Sequence, residues 1–300
     1  MPVLSAPDGT ELAYHVAGEG EPLICLPGGP MRASTYLGDL GGVSERRRLV
    51  MLDLRGTGGS ALPADPASYR CDRQVGDVEA LRRHLGPERV DILAHSAGGD
   101  LALLYAARYP EHVRSLVLVT ARARAIGIDF TVEHRREAMA LRAAEPWYAR
   151  ARPAAEAVWA GTATDAQWEA SGPFHYGRWD AAAQAHAAAE AGQSNEEAGE
   201  VYASAGAFEP ALTRAAVAAL EVPVLILAGE LDGGPRPRVA RAIAEWFPRA
   251  EVTVQPGAGH YPWVDDPAAF ARTVLGFLDA EEERKAVLTR AAAARRRPRG

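Results

Sequence analysis

Six short apolar runs set what this chain can fold into. They occupy residues 23–26, 49–52, 90–93, 116–119, 224–227 and, more weakly, 252–254. The first five lack the strict alternation of a half-buried strand, so they read as strands covered on both faces, as in a parallel sheet. Helical spacing separates several of them. Val75, Val78, Leu81 and Leu85 share one face of a segment that Asp72 would cap and Gly86-Pro87 would stop. Val239, Ile243, Trp246 and Phe247 mark a helix over 237–247, and Phe270, Val274, Phe277 and Leu278 another over 267–278. Strands alternating with helices predict an α/β fold with a mostly parallel central sheet and helices on both faces. At the N-terminus, Pro7-Asp8-Gly9-Thr10 between two strand-like runs predicts an antiparallel hairpin.

The rhythm changes between 121 and 210. No β-like run occurs there, and the segment is rich in Ala, Glu and Arg. It holds four of the six tryptophans, Trp147, Trp159, Trp168 and Trp179, which argues against a disordered linker. The reading is a helical cap inserted at 121–210 into a core of 1–120 and 211–280, lying over the C-terminal edge of the sheet. Residues 281–300, acidic and then basic, extend the last helix and fray.

Composition excludes several classes. With 48% apolar and 24% charged residues the chain is ordinary for a soluble globular protein. A net charge of −6 speaks against nucleic acid as a partner; the basic run Arg295-Arg296-Arg297 reads as a solvated tail. Cys25 and Cys71 make no disulfide framework. No signal peptide is evident, and no apolar run approaches the roughly 20 residues needed to span a bilayer. A cytoplasmic protein with no membrane partner is expected, its oligomeric state open.

Chemistry enters at Ala94-His95-Ser96-Ala97-Gly98-Gly99, between a strand run and a helical pattern. Strand, sharp turn and helix with serine on the turn match the small-x-Ser-x-Gly nucleophile elbow, in which Ala94 and Gly98 are the required small residues. A serine hydroxyl needs a general base, and that base needs a group to fix its tautomer. In the chain order serine, acid, histidine, the loop after 224–227 offers Asp232, with Glu230 as its rival, and the glycine-rich loop after the last strand offers His260. His95, next to the nucleophile on the strand, reads as structural. For the oxyanion, Ala97 supplies one N–H, and the loop Pro27-Gly28-Gly29-Pro30 after an early strand is placed to supply the second. No metal-ligand spacing is found. The Gly-x-Gly in 53–60 precedes a proline-containing segment rather than a helix, so no dinucleotide cofactor is expected.

These residues resemble the α/β-hydrolases, and within them the proline iminopeptidase-like group. Pro27-Gly28-Gly29-Pro30 is similar to that group's His-Gly-Gly-Pro, with Pro27 in place of histidine. Residues 53–60 match its Asp-x-Arg-Gly-x-Gly-x-Ser, and 94–99, 229–232 and 259–260 resemble its nucleophile, acid and histidine segments. The resemblance covers roughly 1–120 and 211–280. It implies an α/β-hydrolase fold, a cofactor-independent serine hydrolase with Ser96, Asp232 and His260 as triad, and Gly29 N–H as the second oxyanion donor. It also implies that cap carboxylates hold a substrate's free amine, with Glu145, Glu156, Glu169, Glu190 and Glu200 as candidates. The four cap tryptophans are candidates for the substrate pocket. The substrate is a small molecule or short peptide: an aminopeptidase substrate, or an ester or lactone. A lyase, acyltransferase or receptor on the same fold is the reading from another class.

Overall fold

The computed structural model describes residues 1–295, with side chains to Arg284. Eight strands form one sheet: β1 (Val3–Ser5), β2 (Glu11–Ala17), β3 (Pro22–Leu26), β4 (Arg48–Leu52), β5 (Val90–His95), β6 (Val113–Val119), β7 (Val224–Gly229) and β8 (Ala250–Gln255). Their order across the sheet is β1-β2-β4-β3-β5-β6-β7-β8. β1 pairs antiparallel with β2 and β2 antiparallel with β4, while every pair from β4 to β8 is parallel. The hairpin is the predicted one, with Val3 opposite Ala13.

The non-alternating runs are buried on both faces. Ile24 and Leu26 of β3 join one core cluster and Leu23 and Cys25 the other; β7 divides likewise, Val224 and Ile226 against Leu225 and Leu227. The first face is covered by α1 (Val75–Leu85), α2 (Gly98–Arg108) and later helices. Between β6 and β7 the chain forms no strand: α3 (Val132–Ala140), α4 (Tyr148–Trp159), α5 (Asp165–Ser171), α6 (Ala181–Ala188), α7 (Glu196–Tyr202) and α8 (Pro210–Ala218) follow one another. After β7 come α9 (Pro237–Ala244), then β8, α10 (Pro262–Asp265) and α11 (Pro267–Arg295).

Two local expectations are corrected. Asp72 is not the cap of α1: a 3-10 turn occupies Cys71–Gln74, the helix begins at Val75, and Asp72 is held by Arg70 at 2.7 Å. α9 ends at Ala244, leaving Trp246 37% exposed against the Arg214 guanidinium. α11 runs without a break to Arg295; Arg296 and Arg297 lie outside the described residues. Among the described residues, no helix is long and apolar enough to cross a membrane.

Strand order reverses at β3, which has β4 on one side and β5 on the other. The C-terminal ends of β3 and β5 therefore flank the switch point, the usual ligand position of such sheets.

Candidate active site

The turn after β5 fits only one set of small residues. Ser96 has a left-handed φ of 51°, a conformation non-glycine residues adopt under constraint. Its N–H donates to Val119 O at 3.1 Å, and its carbonyl accepts from Gly99 N–H and Arg122 N–H, both at 2.9 Å. A Cβ on Gly98 would sit 2.6 Å from the carbonyl oxygens of Leu26 and Pro27, and one on Gly99 2.6 Å from Arg122 O. Ala94 is fully buried between β3 and β6. The small residues around Ser96 are thus demanded by close passage of the neighbouring strands and their loops.

The loop after β3 lies against this turn. A Cβ on Gly28 would meet Ser96 Cβ at 2.7 Å. Gly28 N–H donates to the Tyr36 hydroxyl at 2.7 Å, and that hydroxyl lies 2.6 Å from His95 Nδ1. His95 Nε2 lies 3.0 Å from His260 O. A carbonyl can only accept, so Nε2 carries the proton and Nδ1 accepts from Tyr36. Burial holds the His95 pKa well below its ordinary value, with the His260 charge acting the same way. His95 is therefore a neutral strut between the two loops, the structural role read from its place on the strand. Gly29 N–H and Ala97 N–H have no acceptor among the described residues.

His260 and Ser96 are anchored on successive residues. Ser96 N–H is bonded to Val119, and Thr120 Oγ1 donates to His260 O at 2.9 Å. His260 Nδ1 lies 2.8 Å from Asp232 Oδ2, while Gly234 N–H donates to Oδ1 at 2.8 Å. Asp232 is 3% exposed. With Nδ1–H given to the carboxylate, the lone pair of His260 stands on Nε2. The rival Glu230 does not reach the ring; it accepts from Gly257 N–H at 2.8 Å. Asp265, which the sequence did not single out, accepts from Gly259 N–H at 2.7 Å and from Gly177 N–H at 2.8 Å. It ties the histidine loop to the segment before α6.

That segment approaches from above: His260 N–H donates to His175 O at 2.7 Å. The exposed His175 ring stands 6.3 Å from that of His260. The surrounding protein lowers its pKa, and Glu190 opposes the shift. Arg142, 3% exposed, donates to Tyr176 O at 2.6 Å and Gly177 O at 3.0 Å. Arg32, 1% exposed, donates to Gln193, Tyr261 and His186 O and lies 3.4 Å from Glu190. Neither arginine was foreseen, since the backbone groups and rings they hold lie far along the chain. Of the four tryptophans, Trp168 is 56% exposed and Trp179 packs on the core beside Tyr176. Trp147 stands 4.9 Å from Phe174, and Trp159 lies beside Arg135. Of the five glutamates, Glu145 pairs with Arg142 and Glu156 with Arg136, while Glu169 and Glu200 face solvent. Glu190 is the one whose charge acts on His175, Tyr176 and Tyr261.

The Asp53–Ser60 loop is organised internally. Asp53, fully buried, accepts from Ser34 N–H and Gly59 N–H, and its Oδ2 lies 3.1 Å from His15 Nε2. Among the described residues no group of three or more His, Cys, Asp or Glu is arranged to hold a metal.

The chain belongs to the α/β hydrolase family, whose pattern, the alpha/beta hydrolase fold, matches residues 21–267. It is similar to a proline iminopeptidase of Lactobacillus helveticus, 38% identical over 117 residues. That stretch is 37% of this chain and 40% of the relative, so the similarity spans less than half of that protein. A proline iminopeptidase of Levilactobacillus brevis is 27% identical over 284 residues, 90% of this chain and 93% of the other. Among solved structures, an esterase from Rhodococcus sp. ECU1013 superposes with a TM-score of 0.70 at 25% identity, covering 93% of this chain and 98% of that one.

Proposed function

We propose that this member of the α/β hydrolase family is a serine hydrolase that opens an ester or amide carbonyl through an acyl-enzyme. Ser96 is the nucleophile. His260 takes its proton at Nε2 and passes it to the leaving group, and Asp232 holds the ring and its developing charge. Gly29 N–H and Ala97 N–H, both without an acceptor among the described residues, receive the oxyanion. Water activated by the same histidine then releases the acid. The helices between β6 and β7 act as the cap that shapes the substrate pocket. The observation that carries this reading is the Asp232–His260 contact of 2.8 Å, at the edge where the left-handed Ser96 turn is anchored.

The substrate is a proline iminopeptidase-like peptide or anilide in the first reading, supported by the similarity to two relatives of that name and by the charge of Glu190 beside His175. A small ester or lactone is the second, supported by the superposition on an esterase and by Pro27 at a position where the resembled group has histidine. Rates on a prolyl anilide and on short-chain nitrophenyl esters separate them. Turnover of the anilide with weak ester activity supports the first, and ester turnover alone supports the second. Turnover of neither, with the purified protein folded, counts against hydrolysis.

A further inference from the structure

α3 packs on the acid loop and brings a cation, Arg135, that forms no ion pair among the described residues. The backbone of Arg135 presses on Gly233, the residue after Asp232: a Cβ there would stand 3.0 Å from Arg135 Cα. The guanidinium lies 5.1 Å from the Phe130 ring centroid and 5.8 Å from that of Trp159. Phe130 in turn lies on Gly234, where a Cβ would meet its ring at 2.8 Å. A second guanidinium, Arg122, stands 4.4 Å from the same Phe130 ring. Its own backbone N–H is one of the two that hold the Ser96 carbonyl.

The carboxylates that act on this pair, Asp129, Asp100 and Asp232, leave Arg135 without an ion-pair partner among the described residues. Among the described residues Arg122 has one ion-pair partner, the exposed Asp129 at 3.2 Å, and its Nε is buried without an acceptor. Arg135 has no carboxylate within ion-pair distance among the described residues; the charges that act on it are Arg122, Asp129 and Asp232. Asp232 is already committed to His260 and Gly234. On the histidine side, His175 feels the Arg135 charge directly. Glu190, whose charge also acts on His175, is paired with the buried Arg32 at 3.4 Å. Burial and the neighbouring Arg122 disfavour the charged form of Arg135, and Asp129 and Asp232, neither of them in ion-pair contact with it, only partly oppose them.

A guanidinium fixed over aromatic rings keeps its donor fork in one plane, the arrangement that recognises a carboxylate in bidentate fashion. We propose that Arg135, assisted by Arg122, is an anion-binding subsite for a carboxylate carried by the substrate. This rests on the serine hydrolase reading and narrows it: the preferred ester or amide is a monoanion. The carboxylate belongs either to the acyl part or to the leaving group.

Three esters distinguish these cases: nitrophenyl hemisuccinate, with the charge on the acyl part; butyryloxybenzoate, with the charge on the leaving group; and neutral nitrophenyl butyrate. A charge-assisted hydrogen bond is worth about 10- to 100-fold in affinity. In Arg135→Met the kcat/KM of one charged ester relative to the neutral one falls by about that factor, through KM. Arg135→Lys, which keeps the charge but not the fork, falls less, and the wild-type preference weakens as salt is raised. Where none of the esters turns over, protection of Ser96 from a fluorophosphonate by succinate, compared with succinamide, reads the same subsite. A charged-to-neutral ratio unchanged in Arg135→Met, or equal protection by succinate and succinamide, overturns the subsite while the hydrolase reading stands. Absence of both turnover and Ser96 labelling overturns the hydrolase reading, and the subsite with it.

Discussion

Gly28→Ala concentrates the geometry of this site into one methyl group. The added carbon would stand 2.7 Å from Ser96 Cβ, 2.9 Å from His95 O and 3.2 Å from His95 Nδ1. Carbon–carbon contacts settle at about 3.5–4.0 Å, so the overlap with Ser96 is on the order of 1 Å. Ser96 cannot retreat: its N–H is bonded to Val119, and its carbonyl is shared by Gly99 and Arg122. The loop after β3 must move instead. Its tie to the Tyr36 hydroxyl at 2.7 Å stretches, and Gly29 N–H is carried away from the oxyanion position. A misplacement of about 1 Å costs on the order of 10²-fold in rate, the low end of what loss of an oxyanion donor costs. We expect kcat/KM to fall by at least about 10²-fold, through kcat, with a stability loss of about 1–3 kcal/mol from overpacking. Steady-state hydrolysis and urea unfolding measure the two. A folded Gly28→Ala variant with wild-type kcat would refute the placement of this loop at the oxyanion.

Two further outcomes follow from other parts of the fold. Burial, aided by Arg32, lowers the His186 pKa from 6.5 to about 4, and His95 is lowered too. The unfolded chain then binds protons that the fold refuses, so stability is intact above about pH 6.5 and is lost as pH falls towards 4. The His186 share is on the order of 2–3 kcal/mol after partial screening. Urea midpoints measured across that window should fall less steeply in His186→Gln, and an unchanged slope would contradict the assignment. Gly276 lies on the exposed face of α11, where an added Cβ meets nothing within 4 Å. Gly276→Ala should therefore raise the urea midpoint, by up to about 1 kcal/mol of stability, and a lowered midpoint would contradict it.

The parts of this molecule that were legible in its sequence are those governed by local rules. β3 and β7 could be read because burial on both faces removes the polar alternation from their sequences. Asp232 and His260 could be read because the strand ends dictate where such groups stand. The cap of α1 was misplaced at Asp72 because a 3-10 turn intervenes, and its start depends on how residues 71–74 pack rather than on a capping side chain. Tyr36, Asp265, Arg32 and Arg142 carried no signal at all. Tyr36 acts on His95, 59 residues away, and Arg32 on Tyr261, 229 residues away; such partners are brought together only by the finished fold. The helices between β6 and β7 were legible as helices but not as a binding surface, because their carboxylates sort into paired and solvated ones only in three dimensions.

The central claim is that Ser96 is the nucleophile, activated by His260 and Asp232. Its most direct measurement is incubation with a fluorophosphonate probe, followed by mass-spectrometric mapping of the adduct in the wild type and in Ser96→Ala. The account predicts one phosphonyl group on Ser96 and none in the variant. Labelling that is absent from the wild type, or that persists undiminished in Ser96→Ala, would contradict it.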